Sequence, residues 1–210
     1  MIKNLTWHQP QVLGFDRIKD KEFRPVTLWL TGLSGAGKST IAQRISRLLY
    51  QRNINEFVLD GDNMRHGLCT DLGFSPMDRQ ENVRRISETA KILNEAGVSA
   101  ICPVISPYEK DRSMASHIIG KDRFIEIYCN CDIETCERRD VKGLYKMARL
   151  GKIQDFTGIN APYEEPASPE IHIDTSILSV TESANEIIRY LFDFEKTHST
   201  PVTIKSPCLD

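Results

Sequence analysis

Short apolar runs separated by amphipathic stretches set the layout of this chain. Val26-Thr27-Leu28-Trp29-Leu30-Thr31 is rich in strand formers and predicts a strand. Gly32-Leu33-Ser34-Gly35-Ala36-Gly37-Lys38-Ser39-Thr40 follows at once, and then Ile41, Ile45, Leu48 and Leu49 recur at helical spacing. The alternation continues in kind, though not as a sequence repeat. Glu56-Phe57-Val58-Leu59 predicts a strand ending at Asp60-Gly61-Asp62, and Val83, Ile86, Ala90 and Leu93 mark a helix that stops near Gly97. Residues 98–105 are almost all apolar, as buried parallel strands tend to be. Phe124–Tyr128 and Glu170–Asp174 predict two further strands, with helical patterns around 109–119, 132–150 and 181–194.

Strands alternating with helices predict an α/β fold, a parallel sheet flanked by helices on both faces. Residues 1–24 lack periodicity and read as an N-terminal arm, 25–194 as one domain, and 195–210, with two prolines, as a mobile tail.

Composition narrows the class. Of 210 residues, 40% are hydrophobic and 27% charged, enough for a core that needs no metal or disulfide. The formal net charge of −2 argues against nucleic acid or an anionic membrane as the main partner. No stretch approaches the ~20 apolar residues of a bilayer span. The first residues lack the apolar run of a secretory signal, so a cytoplasmic location is expected. Six cysteines (69, 102, 129, 131, 136 and 208) form no paired CxxC clusters and are expected to be reduced and structural.

Chemistry enters with Gly32-x4-Gly37-Lys38-Ser39, a Walker A pattern placed between a predicted strand and a predicted helix. Backbone N–H groups of such a loop converge on phosphate oxygens, and the helix behind it points its positive end at them. Lys38 would reach the outer phosphates, and the Ser39 hydroxyl would ligate Mg²⁺. Gly32, Leu33, Ser34, Gly35, Ala36, Gly37, Lys38, Ser39 and Thr40 are therefore the candidate nucleoside triphosphate site.

Asp60 and Asp62 end the second strand, where ligands of a doubly wound sheet sit. One carboxylate near Mg²⁺ and one near an acceptor hydroxyl suit phosphoryl transfer, although helix capping would use the same residues. Further on, Arg65, Arg79, Arg84 and Arg85 read either as a polyanion site or as a charged helix face. Phe74 beside them reads as a base-stacking ring or as core. A basic stretch, Arg138 to Arg149, and the loop Phe156-Thr157-Gly158-Ile159-Asn160 suit a lid over about 138–165, or a solvated helix.

Several motifs in order resemble the adenylylsulfate kinase (APS kinase) family: the phosphate loop, Asp60-Gly61-Asp62-Asn63-Met64-Arg65, Leu72-Gly73-Phe74-Ser75-Pro76, Arg79 to Arg85, Ile105-Ser106-Pro107-Tyr108, Asp140 to Tyr145 and Phe156 to Ile159. The resemblance covers roughly residues 4–193. It implies a P-loop, nucleotide-kinase-like fold with a helical lid. It also implies transfer of the γ-phosphate of MgATP to the 3′-hydroxyl of adenosine 5′-phosphosulfate (APS), giving PAPS and ADP. On this resemblance the phosphate loop is an ATP site; Asp62, Asn63, Met64, Arg65, Arg79, Asn82, Ile105, Ser106 and Lys142 contact APS, and Phe74 and Phe156 clamp its adenine. Lys38, Asp60, Asp62 and Ser106 are the catalytic candidates, with Ser39 and Asp60 at the metal. The serine matching Ser106 is marked in bacterial members as a phosphoserine intermediate, whereas direct in-line transfer is the chemically simpler expectation. Many members have Asp where this chain has Asn160. A homodimer and a functional link to ATP sulfurylase are also implied. Another small-molecule kinase and a non-catalytic nucleotide-binding module are the competing readings.

Overall fold

The computed structural model describes residues 23–198, with side chains to residue 194; the arm before 23 and the expected tail after 198 lie outside the described residues, whereas residues 195–198, expected to belong to the tail, continue the last helix. In chain order the elements are β1 (Thr27–Thr31), α1 (Lys38–Tyr50), β2 (Glu56–Val58), α2 (Gly61–Arg65), α3 (Pro76–Glu95), β3 (Ser99–Pro103), α4 (Glu109–Ile119), β4 (Phe124–Asn130), α5 (Ile133–Arg139), α6 (Leu144–Arg149), β5 (Ile171–Asp174) and α7 (Val180–His198). The five strands pair in the order β2-β3-β1-β4-β5, every pair parallel.

Alternation along the central strands sorts side chains onto the two faces. Leu28 and Leu30 of β1, Ile101 of β3 and Ile125 and Ile127 of β4 pack with Ile41, Ile45 and Leu49 of α1 and Ile187 and Leu191 of α7. Trp29, Ala100, Cys102 and Phe124 point the other way, onto Val83, Ile86 and Ala90 of α3 and Ala115 and Ile119 of α4. Each such Leu, Ile or Val contributes about 1.5–3 kcal/mol of burial, so both layers are held by many small increments. Phe23 joins the first layer, its ring 5.9 Å from that of Phe192.

β1 leads into α1 on one face, while its neighbour β3 leads into α4 on the other. The chain therefore parts in opposite directions between the carboxyl ends of these two strands, the crevice in which such sheets bind ligands.

Two helices differ from the expectation. The pattern over 132–150 predicts one helix, but it is broken at Asp140–Gly143, where Asp140 leaves helical geometry and Gly143 takes φ 67°. The helix expected around Val83 begins earlier, at Pro76, because the Ser75 side chain caps it by accepting from the Asp78 N–H. The segment after Asp60 is also a short helix, capped by the Asp60 carboxylate.

Candidate active site

The phosphate loop owes its shape to glycine. A side chain at Gly32 (φ 145°) would put its Cβ 2.4 Å from the Cys129 carbonyl oxygen, and one at Gly35 (φ 81°) 2.9 Å from that of Cys136. The loop passes so close to β4 and α5 that only hydrogen fits there. α1 then starts with no side-chain cap and no acidic residue in its first turn, which leaves its positive end for an anion.

Lys38 is buried, and its ammonium donates to the carbonyls of Gly32 (2.9 Å) and Leu33 (2.7 Å). Burial lowers its pKa to about 8, against a partial upward pull from Cys129, Cys136, Asp60 and Asp62. The neighbouring Ser39 hydroxyl donates to Asp60 Oδ2 at 2.7 Å, while Asp60 Oδ1 accepts from the Asp62 N–H at 2.9 Å. Capping and the phosphate-loop contact are thus carried by two oxygens of one carboxylate. A hydroxyl and a carboxylate side by side are hard oxygen donors suited to Mg²⁺. Among the described residues no group of three or more His, Cys, Asp or Glu could hold a metal. An ion here would take its other ligands from phosphate and water, as Mg²⁺ commonly does.

Asp62 itself forms an ion pair with Lys142, in the break between α5 and α6. Asn63 is exposed, and Met64 packs against the layer formed by α3 and α4. Arg65 donates to Gly73 O at 2.7 Å and lies over the exposed Phe74 ring, 4.4 Å from its centroid. Arg79 spans two segments: it donates to Phe74 O (2.9 Å), Thr157 Oγ1 (3.0 Å) and Asp155 O (2.6 Å). Its guanidinium therefore holds both neighbours of Phe156, the Asp155 carbonyl and the Thr157 hydroxyl. That ring is buried edge-on against Tyr145, centroids 4.9 Å apart, and Tyr145 in turn donates to Ser34 O at 2.8 Å. Asn82 is buried, with no hydrogen-bond partner for its carboxamide oxygen among the described residues.

Ile105 and Ser106 follow β3 across the crevice from the phosphate loop. Ser106 is 2% exposed and holds a left-handed φ of 38°. Its hydroxyl accepts from Trp29 Nε1 at 3.1 Å and lies 3.0 Å from Thr31 Oγ1. A cavity of about 940 Å³ opens between Leu33, the strand ends Asn130 and Asp174, and residues Gly158 to Tyr163.

Other candidates go elsewhere. Arg84 pairs with Glu81, and Arg85 with Glu81 and Asp71, so these two arginines brace the helix face rather than join Arg65 and Arg79. Arg149 pairs with Glu137. Three contributors had no sequence signal: Thr31, which donates to Ile105 O at 2.7 Å; Tyr163, whose hydroxyl meets Thr31 Oγ1 at 2.9 Å; and Arg112, which donates to Ser106 O at 3.0 Å. The Thr31 and Tyr163 contacts join segments 74 and 132 positions apart, while Arg112 reaches back six residues from α4.

A model of the adenylylsulphate kinase family matches residues 24–174. The chain is 50% identical over 188 residues to the adenylyl-sulfate kinase of Staphylococcus haemolyticus, covering 90% of this chain and 94% of that one. The structure of the Mycobacterium tuberculosis APS kinase in complex with AMPPNP and APS is similar with a TM-score of 0.77 and 45% identity, over 80% of this chain and 98% of that chain. A hexameric APS kinase from Thiobacillus denitrificans is similar with a TM-score of 0.61 and 31% identity, over 84% of this chain and 30% of that chain.

Proposed function

Because the chain belongs to the adenylylsulphate kinase family, we propose a division of labour among its residues for phosphorylating the 3′-hydroxyl of adenosine 5′-phosphosulfate. The chain is an ATP-dependent kinase of that substrate. ATP lies along the phosphate loop, with backbone N–H groups of residues 32–40 and the Lys38 ammonium on its outer phosphates. Ser39 and Asp60 would hold Mg²⁺, directly or through its waters, and the ion would supply neutralisation of the phosphate charge.

APS enters from the α2 and α3 side. Its adenine sits between Phe74 and Phe156, displacing the Arg65 guanidinium from the Phe74 ring and freeing it for the phosphosulfate. Arg79 and Asn82 bind the same nucleotide, as do Asn63 and Met64 of α2 and the Ile105–Ser106 loop. Asp62 accepts the hydrogen bond of the 3′-hydroxyl and orients it for in-line attack. The 3′-oxygen forms its bond to the γ-phosphorus as the bond to the β,γ-bridging oxygen breaks, and the proton passes to Asp62. Lys142 approaches the transferring group from the lid. Transfer is direct: the Ser106 hydroxyl is engaged by Trp29 and Thr31 and serves the loop's shape.

The observation that carries this reading is the gathering at one crevice of a buried Lys38, the Ser39–Asp60 pair and Asp62. ADP release measured with APS, AMP, gluconate or shikimate as acceptor tests it. Turnover requiring APS is expected. ATP binding without ADP formation in the presence of APS would leave only a nucleotide-binding module.

We further propose a cytoplasmic homodimer; that an APS kinase from Thiobacillus denitrificans is hexameric supports self-association. Among the described residues no helix is long and apolar enough to cross a membrane. APS is a mixed anhydride, so an adenylyl transfer from ATP to sulfate must supply it, the reaction of an ATP sulfurylase.

A further inference from the structure

Ser106 is held in a conformation that residues with a side chain rarely adopt, at φ 38°, in a buried position. Such a residue persists only where its surroundings over-determine it. Two side chains reach its carbonyl, Thr31 Oγ1 of β1 at 3.5 Å and, at shorter range, an arginine of α4. Arg112, in the first turn of α4 and 3% exposed, donates from Nη1 to Ser106 O at 3.0 Å. Its Nε is 2.8 Å from Glu126 Oε1 on β4, the adjacent strand-borne carboxylate on the same face of the sheet. The guanidinium is thus bridged between a fixed carboxylate and the loop after β3.

The same loop is tied to the far end of the lid. Tyr163 meets Thr31 Oγ1, which donates to Ile105 O, and the Glu164 N–H donates to Pro107 O at 2.8 Å. Glu164 Oε2 also accepts from the Glu109 N–H at 2.7 Å, at the start of α4. The Arg112 guanidinium lies 6.0 Å from the Tyr163 ring.

We propose that Arg112, anchored by Glu126, is a positioning residue for APS: it fixes the Ser106 carbonyl and so sets the substrate loop and the lid segment docked on it. The proposal rests on the reading of Ile105–Ser106 as an APS contact. Lysine cannot replace arginine here, because a single ammonium cannot reach both Glu126 and the carbonyl in the geometry of a rigid fork.

The structure also supplies a reporter. Trp29 donates its indole N–H to Ser106 Oγ, and the chain has only two tryptophans. In a Trp7→Phe background, Trp29 emission therefore reports the loop independently of activity. The test is Arg112→Lys and, as a milder change that keeps side-chain shape, Glu126→Gln, each measured for Trp29 emission and for KM of APS and ATP. Arg112→Lys is expected to shift the emission and to raise the KM for APS about 10-fold while the KM for ATP stays within about twofold. Glu126→Gln is expected to give the same split in smaller measure, and decides the matter if Arg112→Lys does not fold. An unchanged emission with unchanged KM values would overturn the positioning role. A shifted emission with an unchanged KM for APS would instead overturn the loop as an APS contact. Equal rises in both KM values would reduce Arg112 to a general packing residue and also overturn the proposal.

Discussion

Asp62 of α2 and Lys142 of the lid form an ion pair across 80 residues of sequence. Both side chains are more than half exposed, so the pair adds little to stability. Its value is geometric: the residue assigned to the acceptor hydroxyl is in contact with the segment proposed as the lid.

From that contact a first prediction follows for Asp62→Asn. The carboxamide keeps the shape but cannot take a proton, so kcat should fall about 100-fold or more at saturating substrates. Thermal unfolding should stay within about 2 °C of the parent protein, as an exposed pair implies. Steady-state kinetics and a melting curve check both, and near-normal turnover would remove Asp62 from its role.

Lys38 gives a pH dependence with a definite sign. Burial lowers its pKa from 10.5 to about 8 in the free protein. A bound triphosphate favours the charged form, so ATP binding should take up protons at and above pH 8. ATP affinity should accordingly fall as pH rises through that value. Titration calorimetry in buffers of different ionisation enthalpy measures the uptake directly; no uptake between pH 8 and 9 would contradict it.

Ser106→Ala separates direct transfer from a covalent relay. The substitution removes the acceptor for the Trp29 indole and should loosen the loop, weakening APS binding severalfold, with appreciable turnover retained. A rate near zero with APS affinity intact would mean that the hydroxyl carries the phosphoryl group.

The Asn160 amide is used on both sides. Oδ1 accepts from the Phe156 N–H at 2.5 Å and Nδ2 donates to Ile153 O at 3.1 Å. Asn160→Asp keeps the acceptor and loses the donor; Asn160→Ala loses both. The KM for APS should rise in the order parent, Asp, Ala, by up to about 10-fold, with kcat less affected. Limited proteolysis of the lid should quicken in the same order.

The fold was legible because its signals are local. Apolar runs marked β1, β3 and β4, and the glycine spacing marked the turn into α1. The break between α5 and α6 was not, since its apolar spacing continues through Asp140–Gly143 while the backbone turns away. The candidate site divides in the same manner. Lys38, Ser39 and Asp60 lie in short motifs whose spacing carries their chemistry. Arg79 was visible as a charge, but its bonds to the Asp155 carbonyl and the Thr157 hydroxyl join residues 76 and 78 positions apart. Arg112 and Glu126 had no motif, because what joins them to Ser106 is an ion pair between α4 and β4 and a hydrogen bond back to the loop before α4.

The most direct test of one crevice joining both nucleotides is to follow the γ-phosphoryl group itself. With APS and ATP carrying a labelled γ-phosphate, ³¹P spectra and product analysis should show the label as a 3′-phosphomonoester on the sulfated nucleotide, with one ADP formed for each. Label released as free phosphate, or appearing anywhere but the 3′-position, would contradict the assignment.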